Sequence, residues 1–154
     1  MTKVTTITNA VANDETAVTK LHALLYANDY TKTAADFAQQ IREAIKNKLV
    51  WVAKSDQQIV GYILCELFGD KHRYFPNSVF IHGLLVNSPY RARGIGKNLV
   101  KTVLQHKFPE QYTYFSVTHD PAIARLTHFY QSLGFKTTGT TAAGNIMLVK
   151  TNCG

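Results

Sequence analysis

A strand-like run, Ser78–Val86, leads into Asn87-Ser88-Pro89-Tyr90-Arg91-Ala92-Arg93-Gly94-Ile95-Gly96-Lys97, and an amphipathic segment follows. The first amides of a helix have no partner within it and point outward, where the peptide dipoles add partial positive charge. Gly94 and Gly96 have no Cβ, so an anion can approach the backbone closely. Arg91, Arg93 and Lys97 add full charges. These residue types in this order suit a diphosphate-sized anion. Two other phosphate motifs fit less well. A dinucleotide fingerprint needs a third glycine and an acid on a following strand, and both are missing. A triphosphate loop needs Ser or Thr after Gly-Lys, whereas Asn98 follows Gly96-Lys97. A helix that merely starts on two glycines is the plainer alternative. The preceding strand and the full run Pro-Tyr-Arg-x-Arg-Gly-x-Gly weigh against it.

The elements that must position this segment are legible in the periodicity. Thr2–Thr8 reads as a strand. Asp14–Ala27 reads as a helix with Ala17, Leu21, Leu24 and Leu25 on one face and Asn13 or Asp14 as cap. A second helix runs from about Ala34 to Asn47, with Phe37, Ile41, Ala44 and Ile45 inward and Thr33 as cap. The period then changes to two. Leu49–Lys54 and Gln58–Phe68 are strands joined by Ser55-Asp56-Gln57 in a hairpin. Gly69–Asn77 is a loop, and Ser78–Val86 is apolar enough to be a central strand. A helix over Gly94–Lys107 turns Ile95, Leu99, Val103 and Leu104 inward. Tyr112–Thr118 is a strand. Pro121 opens a helix to Leu133, capped by Asp120 and stopped by Gly134. Lys136–Thr140 and Asn145–Val149 are short strands. The strand–helix–strand unit at 78–118 requires a parallel pair, and the hairpins are antiparallel. The expectation is a mixed α/β sheet with helices on its faces.

Composition sets the bounds. A chain of 154 residues with 45% hydrophobic and 18% charged residues is one ordinary globular domain, 1–154. Its two cysteines, Cys65 and Cys153, make no disulfide framework, which points to a reduced, cytoplasmic setting. Met1–Glu15 has no apolar signal core, and no apolar run reaches bilayer length, so no membrane partner is expected. The net charge of +7 is local. Residues 71–109 hold Lys71, Arg73, Arg91, Arg93, Lys97, Lys101 and Lys107 and no acid. Such a field suits nucleic acid or a small polyphosphate ligand, and a solvated basic helix face is the plainer reading.

The stretch Arg91-Ala92-Arg93-Gly94-Ile95-Gly96 fills every fixed place of the signature Arg/Gln-x-x-Gly-x-Gly/Ala. Leu84-Leu85-Val86 and Pro89-Tyr90 are its usual preface. Phe129-Tyr130-Gln131-Ser132-Leu133-Gly134-Phe135 follows a second pattern, Phe-Tyr-x-x-x-Gly-Phe. On these residues the sequence resembles the GNAT superfamily of acyl-CoA-dependent N-acyltransferases, over about residues 2 to 150. The resemblance implies a mostly antiparallel sheet flanked by helices, with a splayed central strand pair. It implies an N-acetyltransferase that moves an acetyl group from acetyl-CoA to a primary amine by direct attack in a ternary complex. By the same resemblance the backbone of Leu84, Leu85 and Val86 pairs with the pantetheine arm. Amides of Arg91, Ala92, Arg93, Gly94, Ile95, Gly96 and Lys97 hold the pyrophosphate, and Tyr130 protonates the leaving thiolate. The family often has Asn seven residues before that tyrosine. Ile123 stands there, which removes one cofactor contact, and Arg125 lies nearby.

Transfer to an amine needs proximity, removal of a proton from the ammonium and protonation of the thiolate. Tyr130 has the alternative of a core aromatic in step with Leu126 and Leu133. His82, four residues before Val86, stands where similar sequences often carry a glutamate base. Its alternative is a hydrogen-bonded histidine in a half-buried strand. His119 and Asp120 follow at the end of the next strand, read as a loop residue and a cap. Cys65, beside Glu66, has no activating neighbour, and no cluster has metal-ligand spacing, so no metal is expected. The first two helices and the Gly69–Asn77 loop frame the acceptor site by resemblance. Asp14, Glu15, Asp29, Asp36 and Glu43 would give it an acidic rim, or simply solvate helix faces. Tyr26, Tyr30, Tyr74 and Phe75 would line it or pack. A catalytically silent acyl-CoA sensor is the second reading. A nucleic-acid-binding domain ranks last, because the basic segment lacks interleaved aromatics. Homodimers are common among similar proteins, and the sequence marks no seam.

Overall fold

Asp56 and Gln57, both in the left-handed region at φ 51° and 64°, turn the chain back on itself after Ser55. Two such residues make the turn whose twist matches a two-residue hairpin. The computed structural model describes residues 5–152. Along the chain come β1 (Thr5–Asn9), α1 (Glu15–Leu25), α2 (Ala34–Lys46), β2 (Val50–Ser55), β3 (Gln58–Phe68) and β4 (Ser78–Val86). Then follow α3 (Ile95–Gln105), β5 (Tyr114–His119), α4 (Ala124–Ser132), β6 (Lys136–Thr140) and β7 (Ile146–Thr151). Short 3-10 turns, Ala12–Asp14 and Ser88–Tyr90, precede α1 and α3. The described strands form one mixed sheet in the order β1-β2-β3-β4-β5-β7-β6. The expected parallel pair is β4 with β5, in register from Ser78 opposite Tyr114 to Ile81 opposite Val117, while β4 itself continues to Val86.

The chain divides into two compact units. One takes the chain up to Cys65 and His82–Val103, and the other takes Glu66–Ile81 and the chain from Leu104 on. In the first, Val18 and Leu21 of α1 and Ile41 and Ala44 of α2 pack with Val50, Val52, Tyr62 and Leu64. α2 starts as expected, with Thr33 accepting from the Asp36 amide at 3.1 Å and Asp36 returning a bond to the Thr33 amide at 2.8 Å. In the second unit Phe75, Phe115, Val117, Phe135 and Leu148 are buried.

Three expectations are corrected. The buried face of α1 is Val18, Leu21 and His22, whereas Leu24 and Leu25 are exposed. Asp14 does not bond the helix amides that follow it. It is buried, pairs with Lys54 at 3.2 Å and accepts from the Val11 amide at 2.9 Å. Asp120 does not cap α4 either. Its carboxylate accepts from the Ala122 amide at 2.9 Å and its carbonyl from the Ile123 amide at 3.0 Å, which closes a turn, and the helix starts at Ala124. Pro121 suits the second position of such a turn as well as the first turn of a helix. Of the expected first strand, Thr2 to Val4 lie outside the described residues.

Candidate active site

The site is assembled at the end of β4. The Asn87 amide donates to the Val60 carbonyl at 2.7 Å, which holds the strand end against β3. That approach depends on Gly61, where a Cβ would sit 3.1 Å from the Leu85 carbonyl oxygen and 3.3 Å from Val86. The chain then turns through Ser88–Tyr90, with Tyr90 donating to Asn87 at 2.9 Å. Arg91 folds back, and its Nε donates to the Val86 carbonyl at 2.9 Å. This cation braces the loop at the strand it leaves. Arg93 lies over the Tyr90 ring at 5.3 Å, and Lys97 is exposed.

Ala92 and Gly94 both adopt left-handed backbone, at φ 63° and 78°. They turn the chain into α3, whose first interior bond runs from the Asn98 amide to the Gly94 carbonyl at 3.0 Å. A Cβ on Gly94 would have no atom within 4 Å, so the space beside this loop is open. The first turn of α3 holds no acid. Ile95, Leu99, Val100 and Val103 bury the other face of the helix and fix its direction. Outward amides, open space and exposed cations therefore meet in one loop, as an anion requires.

His82 is half-buried on β4. The Tyr26 ring stacks on its imidazole, with centroids 5.3 Å apart and planes at 19°. The Tyr26 hydroxyl donates to the His82 carbonyl. Behind them lies His22, fully buried, with its centroid 4.9 Å from Tyr26 and 5.6 Å from His82. Nδ1 of His22 lies 2.7 Å from the Tyr62 hydroxyl. Burial, and then the neighbouring Tyr26 phenol, push Tyr62 far above its ordinary range. The Tyr62 hydroxyl and Nδ1 of His22 thus share one buried hydrogen bond. Gly83 is needed beside this pair, because a Cβ there would meet the Tyr62 hydroxyl at 2.7 Å.

A pH dependence follows from Tyr62. The fold disfavours its anion, so its contribution to stability is whole below the ordinary pKa of 10.0 and is lost as pH rises beyond it. Melting temperatures above about pH 10 should fall more steeply in the native protein than in Tyr62→Phe. Parallel curves would show that Tyr62 does not cause the alkaline loss. At neutral pH the same substitution removes a buried partner of His22 and should cost about 1–3 kcal/mol.

Sequence reasoning missed His22 and Tyr62. The available signal was the spacing of Val18, His22 and Tyr26, which recurs every four residues along one helix face. The other candidates have local roles. His119, buried at the end of β5 and not in a loop, places Nδ1 2.9 Å from the Asp120 carbonyl and Nε2 2.7 Å from the Thr127 hydroxyl. Phe75 is buried, and the Tyr74 hydroxyl accepts from the Ala142 amide at 2.8 Å. Tyr30 is exposed. Asp29 accepts from the Thr31 hydroxyl and amide, which hold its carboxyl below the usual carboxylate range. Glu15 pairs with Arg42 at 2.9 Å. With Asp14 and Asp36 engaged as above, four of the five expected rim acids serve turns, caps and ion pairs.

Tyr130 belongs to the second unit. It is buried on α4, edge-on to Phe129 and Phe135 with centroids at 5.0 and 5.4 Å. α4 ends as expected, with Gly134 at φ 96° and the Phe135 amide reaching back to the Tyr130 carbonyl at 3.1 Å. The basic residues of 71–109 divide between the units. Arg91, Arg93, Lys97 and Lys101 lie in the first, and Lys71, Arg73 and Lys107 in the second. Among the described residues, no group of three or more His, Cys, Asp or Glu could hold a metal ion. No described helix is long and apolar enough to cross a membrane.

The sequence model of the acetyltransferase (GNAT) family matches residues 16–135, from α1 to the turn after α4. The chain belongs to that family. Over 91 residues this GNAT chain is 37% identical to N-acetyltransferase 8 of Homo sapiens, a stretch equal to 58% of the chain and 39% of that protein. It thus spans about two-fifths of the length of the curated relatives it matches. Its fold resembles that of a ribosomal-protein-alanine N-acetyltransferase from Brucella melitensis. The TM-score is 0.77 at 18% identity, over 95% of this chain and 99% of that one. It also resembles the PaiA N-acetyltransferase from Thermoplasma acidophilum, solved in complex with coenzyme A. There the TM-score is 0.74 at 16% identity, over 96% and 99% of the two chains. The GNAT fold thus accounts for the mixed sheet and its helices.

Proposed function

We propose that this chain transfers an acetyl group from acetyl-CoA to the primary amine of a small molecule or peptide, by direct attack with both substrates bound. The observation that carries the reading is the loop at residues 91–97. There left-handed Gly94 opens α3 beside empty space, and the exposed cations Arg93 and Lys97 flank it. A pyrophosphate fits that chemistry, and a loop in a family member that ends a central strand gives it a long ligand to anchor. The coenzyme A bound to PaiA and the name of human N-acetyltransferase 8 support the same reading.

Acetyl-CoA supplies the activated acyl group and a thiolate as leaving group. The outward amides of 91–97 hold its pyrophosphate, and the backbone of Leu84, Leu85 and Val86 pairs with its pantetheine arm. His82 accepts the proton that the attacking ammonium must lose. Tyr130 gives its phenolic proton to the departing sulfur. Proximity is the largest contribution, because holding both reactants removes the entropy of bringing them together. Each proton transfer adds roughly two to four orders of magnitude.

Calorimetric titration of the protein with acetyl-CoA at moderate salt tests this reading. One-to-one binding is expected. Replacing both Arg93 and Lys97 by Ala should weaken it about 10- to 100-fold, the worth of one or two charge-assisted bonds. Absence of binding heat would remove the central link. Binding without thiol release across a panel of primary amines would favour a silent acyl-CoA sensor.

A further inference from the structure

We infer that Tyr26 is the positioning residue for His82, and that buried His22 holds Tyr26 in that role. The inference rests on the acetyl-transfer reading and names a residue which acts there through another. Tyr26 closes α1, its amide donating to the His22 carbonyl at 3.1 Å. From that point it makes two contacts with one residue of β4. Its ring stacks on the His82 imidazole, and its hydroxyl bonds the His82 carbonyl. The stack covers a face of the imidazole. The hydroxyl fixes the backbone from which that imidazole hangs.

The support behind Tyr26 is buried. His22 lies one turn earlier on α1 and is fully buried, edge-on to Phe37 at 5.3 Å and to Tyr62 at 5.8 Å. Its Nδ1 is fixed by the Tyr62 hydroxyl. That hydroxyl also lies against Gly83, the next residue along β4. Two phenol hydroxyls, one from the end of α1 and one from β3, thus meet β4 at successive residues. A base must sit within hydrogen-bond reach of the proton it takes, and a misplacement of about 1 Å can cost 100-fold. This packing supplies that placement.

The test compares Tyr26→Ala and Tyr26→Phe in the full chain. The first readout needs no acceptor. In protein with 13C-labelled histidine, the His82 imidazole resonances, assigned with His82→Gln, report the shielding by the stacked ring. Tyr26→Ala should move them downfield, and Tyr26→Phe should leave them in place. Should Tyr26→Ala not fold, Tyr26→Leu supplies bulk without a ring and must give the same downfield shift. The second readout is thiol release from acetyl-CoA with free L-lysine or a pentapeptide bearing a free α-amine as probe. Tyr26→Ala should lower kcat about 30- to 100-fold at an unchanged KM for acetyl-CoA, and Tyr26→Phe about 3- to 10-fold. Unmoved His82 resonances in the ringless variant, or a loss of turnover no smaller in Tyr26→Phe than in Tyr26→Ala, would overturn the inference. Failure of the native protein to bind acetyl-CoA would instead overturn the acetyl-transfer reading, and the resonance test would still decide what Tyr26 does to His82.

Discussion

Replacing Tyr130 by Phe should lower kcat by about two to four orders of magnitude and leave the affinity for acetyl-CoA unchanged. The packing makes this a clean substitution. The Tyr130 ring is buried and held edge-on by Phe129 and Phe135, and phenylalanine keeps those contacts. The change in stability should stay near 1 kcal/mol, the usual net worth of a hydroxyl's hydrogen bond. In the proposed mechanism, what is lost is the proton that a thiolate needs in order to leave. On that mechanism the phenol hydroxyl hands the proton to the departing sulfur. Steady-state turnover and calorimetric acetyl-CoA affinity, measured on the same preparation, check both halves. Native turnover in Tyr130→Phe would remove Tyr130 from the chemistry. Lost affinity for acetyl-CoA would move its role from proton transfer to binding.

Leu99→Ala should cost about 2–5 kcal/mol and lower the melting temperature by about 5–15 °C. Leu99 is fully buried in the middle of α3. One of its methyls lies 3.5 Å from where a Cβ of Gly61 would stand, so the helix is seated closely on β3. Truncation loses the transfer energy of the missing carbons and leaves a cavity that the sheet cannot collapse to fill. The loss should also reach the loop at 91–97, because α3 starts from it and Leu99 is one turn beyond Ile95. Acetyl-CoA affinity should therefore fall even at temperatures where Leu99→Ala is folded. Urea unfolding gives the stability, and a loss below about 1 kcal/mol would mean that α3 is not the packed base of the loop.

Much of this molecule is written locally. The limits of β3, β4 and β6 match those read from apolar runs and from the Gln, Asn and Gly residues that punctuate them. The hairpin turn, the cap at Thr33 and the stop at Gly134 involve neighbours within five residues, so short-range chemistry decides them. The loop of the candidate site is legible for the same reason. Its glycines, cations and helix start lie within seven consecutive residues, and the amides that would hold an anion are backbone groups which every helix start exposes. The two family patterns carry the rest of the functional reading.

Other features required the tertiary structure. The buried face of α1 includes His22, which hydropathy ranks as polar, because Tyr62, 40 residues away, offers its ring nitrogen a partner. Asp14 and Asp120 both carry the side chain of a helix cap. One is drawn to Lys54 and the other closes a turn, choices set by which partners the fold brings near. His82 could be read from the sequence as a candidate, but the stacked Tyr26 that orients it could not. That contact spans 56 residues and leaves no periodic trace in the chain. The sequence by itself thus determined the strands and helices through their hydrophobic period, and the turn chemistry and the anion loop through interactions between near neighbours. The tertiary structure alone decided which polar side chains are buried and which ring backs the histidine on β4, because burial and hydrogen-bond satisfaction are settled between elements far apart in the chain.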